Sequence, residues 1–336
     1  MIDPALPLCE LHRHLDGSIR LQTILELADQ HGISLPADDA EGLAPYVHID
    51  ESAPGLMAFI ARFQYLSEVL VDADACRRVA YENVEDAQRE GIDYIELRFS
   101  PWFMAERHGL DPAAVMEACA DGIRAAERDT GVKANIIGIL SRTYGSETCL
   151  RELEAILAHR DSVVAVDLAG DEAGYPAAMF REHFRRVREA GLHTTIHAGE
   201  ADGPASVWSA LRDLDAERIG HGFRAIEDPA LVDYLAGQGI GLECCPTSNL
   251  HISAVPDYAS HPIRRLAEAG VRFCLNTDDP GISNIDLAHE YEIAAPAVGL
   301  SPARIRQAQL DALEMAFLSG AEKDALRRRA ATRGPG

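Results

Sequence analysis

Lysine is almost missing from this chain: Lys133 and Lys323 are the only two in 336 residues. Lysine and arginine together number 31 against 54 acidic residues, a formal net charge of −23. So acidic a chain repels phosphate backbones and anionic lipid, which argues against nucleic acid or a membrane surface as a partner. A small neutral or cationic substrate is compatible with it. Cysteine is sparse and unpatterned. Seven is an odd count, and the sequence has no CxxC or PCxxC, so the thiols read as free in a reducing cytoplasm. The opening "MIDPALPLCE" carries no basic leader, and no later run approaches the length of a membrane span. A GxGxxG after the first strand and a low-complexity linker are missing too. Nothing divides the chain, and 47% hydrophobic content is enough for one large core.

Eight short, largely apolar runs are present: "LCELHRH", "DYIELRFS", "KANIIGIL", "VVAVDLA", "HTTIHAG", "ERIGHG", "IGLECCP" and "VRFCLNT". Continuous apolar runs suit parallel strands covered on both faces. Amphipathic segments lie between them, several closed by a glycine such as Gly91, Gly191 or Gly270. Eight strand–helix units predict a closed (β/α)8 TIM barrel, an α/β fold. Residues 34–70 and those from about 286 onward exceed the minimal plan. The first segment is expected to be helical and to cap the barrel mouth, the second to form two or three terminal helices. We expect a single catalytic domain over residues 1–330, acting as a monomer, with 331–336 as a disordered tail.

The unusual polar residues fall at the ends of the predicted strands. His12 and His14 are two apart on strand one and so share a face. His197 and Glu200 close strand five in "HAGE", His221 closes strand six in "GHG", and Asp278 and Asp279 close strand eight in "NTDDPG". In a barrel these ends meet on one face. Each piece alone has an ordinary reading, as a core histidine pair or a solvated turn. Together, His12, His14, His197 and Asp278 make a first shell for one divalent ion, with a position left for water, and three imidazoles plus a carboxylate suit zinc. Such an ion lowers the pKa of water from about 16 to roughly 7. Glu200 and His221 become the proton-handling pair, and Asp279 is free to contact substrate. The other nine histidines lack such placement, and His31, His48, His108, His159 and His183 read as surface residues. No lysine stands at the end of strand four, where two-metal barrel hydrolases carry a bridging one. Cys244 and Cys245 read as core.

Taken in order, "HRHLDG", "HAGE", "RIGHG", "CPTSN" and "NTDDPG" resemble adenosine deaminase of the bacterial type. The resemblance extends to "ELRFSP", "DLAGDE" and the late "AAPAVGLS", so it covers nearly the whole chain. It implies a zinc-dependent hydrolase that converts adenosine and 2′-deoxyadenosine to inosine or deoxyinosine and ammonia, a reaction of purine salvage. By position it makes His12, His14, His197 and Asp278 the zinc ligands. It has Glu200 protonate the purine N1, and His221 orient and help deprotonate the zinc water. Asp279 bonds to that water and to N7, the Gly170 N–H to N3, and Asp16 to the ribose 5′-hydroxyl. His14 is also placed against the substrate. The alternative is a sister deaminase of free adenine or of a modified adenine nucleoside. Those relatives tend to carry HLEG or HIEG where this chain has "HLDG", and the shorter Asp16 leaves room for a ribose.

Overall fold

The computed structural model describes residues 1–49 and 56–333. Eight strands alternate with helices: β1 (Cys9–His14), β2 (Tyr94–Phe99), β3 (Lys133–Ser141), β4 (Val163–Ala169), β5 (His193–Ala198), β6 (Arg218–His221), β7 (Gly241–Cys244) and β8 (Arg272–Leu275). Each pairs in parallel with the next, in sequence order. All eight predicted runs are strands, and the fold is the TIM barrel their alternation predicts. The barrel is closed by site residues. The His14 N–H donates to the Asp278 carbonyl at 2.8 Å, and the Asp278 N–H to the His12 carbonyl at 2.9 Å. Three of the predicted metal ligands are thereby fixed to one another through the backbone.

Sequence chemistry accounts for the intervening helices. Asp72 caps Ala73–Arg89, Asp111 followed by Pro112 starts Pro112–Thr130, and Asp228 followed by Pro229 starts Pro229–Gln238. Their apolar faces bury Val79, Val84, Ile123 and Leu231 against the strands. The segment 34–70 contains helices Ala40–Val47 and Leu56–Glu68. The second touches the turn Pro280–Ser283 that follows Asp279, which puts it at the C-terminal end of the barrel. Residues 50–55 of that segment lie outside the described residues. At the end of the chain, helix Gly320–Ala331 runs one residue into the expected tail, and Arg333 Nη2 donates to Asp93 Oδ2 at 2.7 Å. Only 334–336 of that tail fall outside the described residues.

The barrel interior departs from a purely apolar core. A buried row of alternating charge crosses it: Glu96, Arg218, Glu243, Arg98, Asp167. Arg98 donates through Nη1 to Asp167 at 2.8 Å and through Nη2 to Glu243 at 2.7 Å. Arg13 points away from the interior, as its strand position predicts, yet it is buried and pairs with Glu10 and Glu90.

Candidate active site

The row of charge supports the histidines above it. His12 Nδ1 lies 2.6 Å from Glu243 Oε2, and His197 Nδ1 lies 2.8 Å from Asp167 Oδ2. The first contact is a hydrogen bond that places a proton on His12 Nδ1; the second is close but off the hydrogen-bond line, and the carboxylate charge beside His197 Nδ1 still favours the proton there, so both Nε2 atoms present lone pairs. Those Nε2 atoms stand only 3.1 Å apart. His14 Nε2 is 3.3 Å from His197 Nε2, and Asp278 Oδ1 is 3.3 Å from His12 Nε2 and 3.2 Å from His14 Nε2. Lone pairs so placed repel unless a proton or a cation lies among them. Tetrahedral ligands about 2.0 Å from an ion have edges of about 3.3 Å, which is the spacing of these atoms. The donor set therefore fits a divalent metal of zinc's preference, and carboxylates behind two of the imidazoles raise their basicity as ligands. His14 carries the same message. Burial disfavours its charge, but Asp279, Asp278 and Asp16 outweigh it and push its pKa up to about 9, so the site draws a positive charge.

Close approach sets the local sequence. A Cβ on Gly220 would meet His12 Cε1 at 3.0 Å and the His197 Cα at 3.2 Å. A Cβ on Gly17 would lie 1.6 Å from Asp279 Oδ1. The glycines of "GHG" and "LDG" thus make room for two functional side chains. His221 and Asp278 adopt left-handed backbone, φ 57° and 68°. For non-glycine residues this costs about 1–3 kcal/mol each, and such strain gathers at functional sites.

The acid and base candidates stand on one side of the histidine cluster. Glu200 Oε1 is 3.4 Å from His221 Nε2, and its side chain is one-fifth exposed. Burial, then Asp278 and Glu172, push its pKa up to about 8. Glu172 accepts the backbone N–H groups of Glu200, Ala201 and Asp202 at 2.8–3.2 Å, pinning the turn that carries Glu200. The His221 pKa is lowered, first by burial. Asp279, raised by burial and by Asp278, keeps its Oδ1 without a hydrogen-bond partner among the described residues, and Asp16 Oδ1, also without one, faces His14 Nδ1 at 3.9 Å. Gly170 follows β4 and is exposed at the same end of the barrel. Every predicted site residue therefore comes to this end.

Several neighbours escaped the sequence reading. Ser248 Oγ donates to Asp278 Oδ2 at 2.6 Å. Asn249 and His261 are buried behind His221, and His183, expected at the surface, is buried with its Nε2 2.9 Å from the Ser146 carbonyl. Asp167, Glu243 and Arg98 escaped it too, although a charge inside an otherwise apolar strand is a signal that could have found them.

A family model described as adenosine deaminase matches residues 7–333. Adenosine deaminases of Vibrio cholerae and Escherichia coli are 57% and 56% identical, over 99% of this chain and 100% of each relative. Among solved structures, an adenine deaminase of Arthrobacter aurescens superposes with a TM-score of 0.88 at 28% identity, covering 98% of both chains. An amidohydrolase of Burkholderia ambifaria solved with bound zinc gives 0.88 at 27% identity, covering 98% of this chain and 91% of its own.

Proposed function

The chain belongs to the adenosine deaminase family, and from that premise we propose that it hydrolyses adenosine and 2′-deoxyadenosine to the inosine nucleosides and ammonia through the residues described above. The observation that carries the assignment of roles is the convergence of three imidazole nitrogens and one carboxylate oxygen beside the Glu200 carboxyl, whose pKa burial raises. His12, His14, His197 and Asp278 would hold one zinc ion. The ion supplies Lewis acidity that makes water nucleophilic at neutral pH.

The chain's own residues do the rest. Attack at C6 of an aromatic ring drives charge onto N1, so N1 must be protonated as attack proceeds. Glu200, held neutral by its surroundings, gives its proton there. His221 faces the attacking water from the same side. Asp279, whose pKa burial and Asp278 raise, bonds to N7, and the Gly170 N–H is offered to N3. Asp16 accepts the ribose 5′-hydroxyl, the contact that favours a nucleoside over a free base. The reading includes a cytoplasmic monomer that binds a purine nucleoside and no nucleic acid, in keeping with the charge of −23. No helix among the described residues is long and apolar enough to cross a membrane.

The test follows the fall in absorbance as adenosine becomes inosine, on protein of defined metal content. Turnover should vanish with a chelator and return with one equivalent of zinc. Two metals per chain at full activity, or a kcat/KM for adenine above that for adenosine, would overturn the reading.

A further inference from the structure

Behind His221 lies a line of buried polar side chains with no role in the steps above. His261 Nδ1 lies 3.2 Å from the Ile263 backbone N–H. His261 Nε2 lies 3.2 Å from Asn249 Oδ1, and Asn249 Nδ2 lies 3.2 Å from His221 Nδ1 and 3.4 Å from Glu200 Oε1. All three side chains, His221, Asn249 and His261, are buried.

The backbone N–H at one end can only donate, and this fixes every proton along the line. His261 Nδ1 must accept, so its Nε2 carries the hydrogen and donates. Asn249 must then receive with Oδ1. The flipped amide would give His261 two acceptor nitrogens and no proton, which a neutral imidazole cannot satisfy. The Asn249 amide therefore donates to His221, whose Nδ1 accepts, and the neutral His221 ring carries its proton on Nε2. The surroundings of Nε2 agree, since the carboxylate oxygens Glu200 Oε1 and Asp278 Oδ2 lie 3.4 and 3.8 Å away. The same amide donates to Glu200 Oε1, leaving the Glu200 proton for Oε2.

We propose that Asn249 and His261 are positioning residues that lock His221 as the Nε2–H tautomer and direct the transferable proton of Glu200 onto Oε2. His221 then meets the nucleophile as a hydrogen-bond donor that orients it, rather than as the acceptor of its proton, which a water bound beside the ion would already have released to solvent. This inference rests on the deaminase reading and refines the role of one of its residues.

Nitrogen-15 NMR of histidine-labelled, zinc-loaded enzyme tests it, with the His221 signals identified by their loss in His221→Gln. A protonated Nε2 and a bare Nδ1 are expected; a protonated Nδ1 in the wild type overturns the proposal whatever the variants do. His261→Gln keeps a donor to Asn249 and should hold kcat within about threefold. His261→Leu removes it and should mix the two tautomers and lower kcat on the order of 10- to 100-fold, with KM little changed. Wild-type tautomer and kcat in a folded, zinc-loaded His261→Leu would also overturn it. Failure of the wild type to deaminate adenosine defeats the enzyme reading instead, and the two failures are distinct.

Discussion

Glu200 offers the sharpest test of the chemistry. An ordinary glutamic acid, with a pKa near 4.5, is protonated to only about 0.3% at pH 7. At the value of about 8 set by burial and by Asp278 and Glu172, it is about 90% protonated at that pH. The site thus raises the population of the proton donor roughly 300-fold before any substrate binds. Glu200→Gln keeps the shape and an oxygen for Asn249 but has no proton to transfer. Its kcat should fall by about 10²- to 10⁴-fold, with KM within a few-fold. The sign of the pH dependence follows from which form works. Protonated Glu200 is active, so wild-type kcat/KM should decline as pH rises through the folded pKa. A bound cation cancels the Asp278 contribution and leaves that of burial, which puts the loaded enzyme's decline at or below pH 8. The variant should lack this alkaline limb. A Glu200→Gln enzyme within threefold of wild type, or one that keeps the limb, would refute the assignment.

Other parts of the structure give equally direct expectations. Arg98→Met leaves Asp167 and Glu243 short of a buried partner, a change of roughly 3–5 kcal/mol. With an unfolding entropy of about 0.7 kcal/mol/K for 336 residues, Tm in a calorimetric scan should drop by about 4–7 °C; a drop under 1 °C would count against the pairing. Gly17→Ala puts a methyl where Asp279 Oδ1 sits. Its kcat/KM should fall on the order of 100-fold with zinc content unchanged, and loss of zinc instead would mean that the Asp278 arm had moved. Burial raises the pKa of the fully buried Glu290 to about 8. Below pH 4.5 both folded and unfolded forms are protonated and nothing is lost. Between 4.5 and 8 the unfolded chain ionises first, so stability declines by roughly 4–5 kcal/mol across that window. Glu290→Gln should flatten the decline in denaturant titrations between pH 5 and 8.5, and parallel curves for the two proteins would reject the shift.

The strands were legible because a strand covered on both sides must be apolar over consecutive residues, and eight such runs stand out from their helical spacers. The site was legible because polar residues at the ends of those runs have no packing role to explain them. Other parts escaped for a physical reason. Asn249 lies just beyond the end of β7 and His261 twelve residues further on; only the contact of Asn249 with His221, and of His261 with Asn249, gives them meaning. The left-handed backbone at His221 and Asp278 has no signature in a residue type, since it is imposed by the closure around it.

The buried row of charge is the most instructive omission. Glu96 and Arg98 interrupt β2, Asp167 interrupts β4, Arg218 opens β6 and Glu243 sits in β7. As isolated charges in apolar runs they look like imperfections of the strands. Set side by side they alternate in sign, three carboxylates against two guanidiniums, so each arginine is shared and one negative charge is left over. That excess cannot escape to water, and the row meets His12 and His197 through Glu243 and Asp167. A buried negative charge needs a counter-charge close by. One proton shared between the two Nε2 atoms, 3.1 Å apart, would answer that single charge but not the Asp278 carboxylate beside them. A divalent cation held by their lone pairs answers both. The interior of the barrel, and not only the ring of ligands at its mouth, is therefore built for a metal ion.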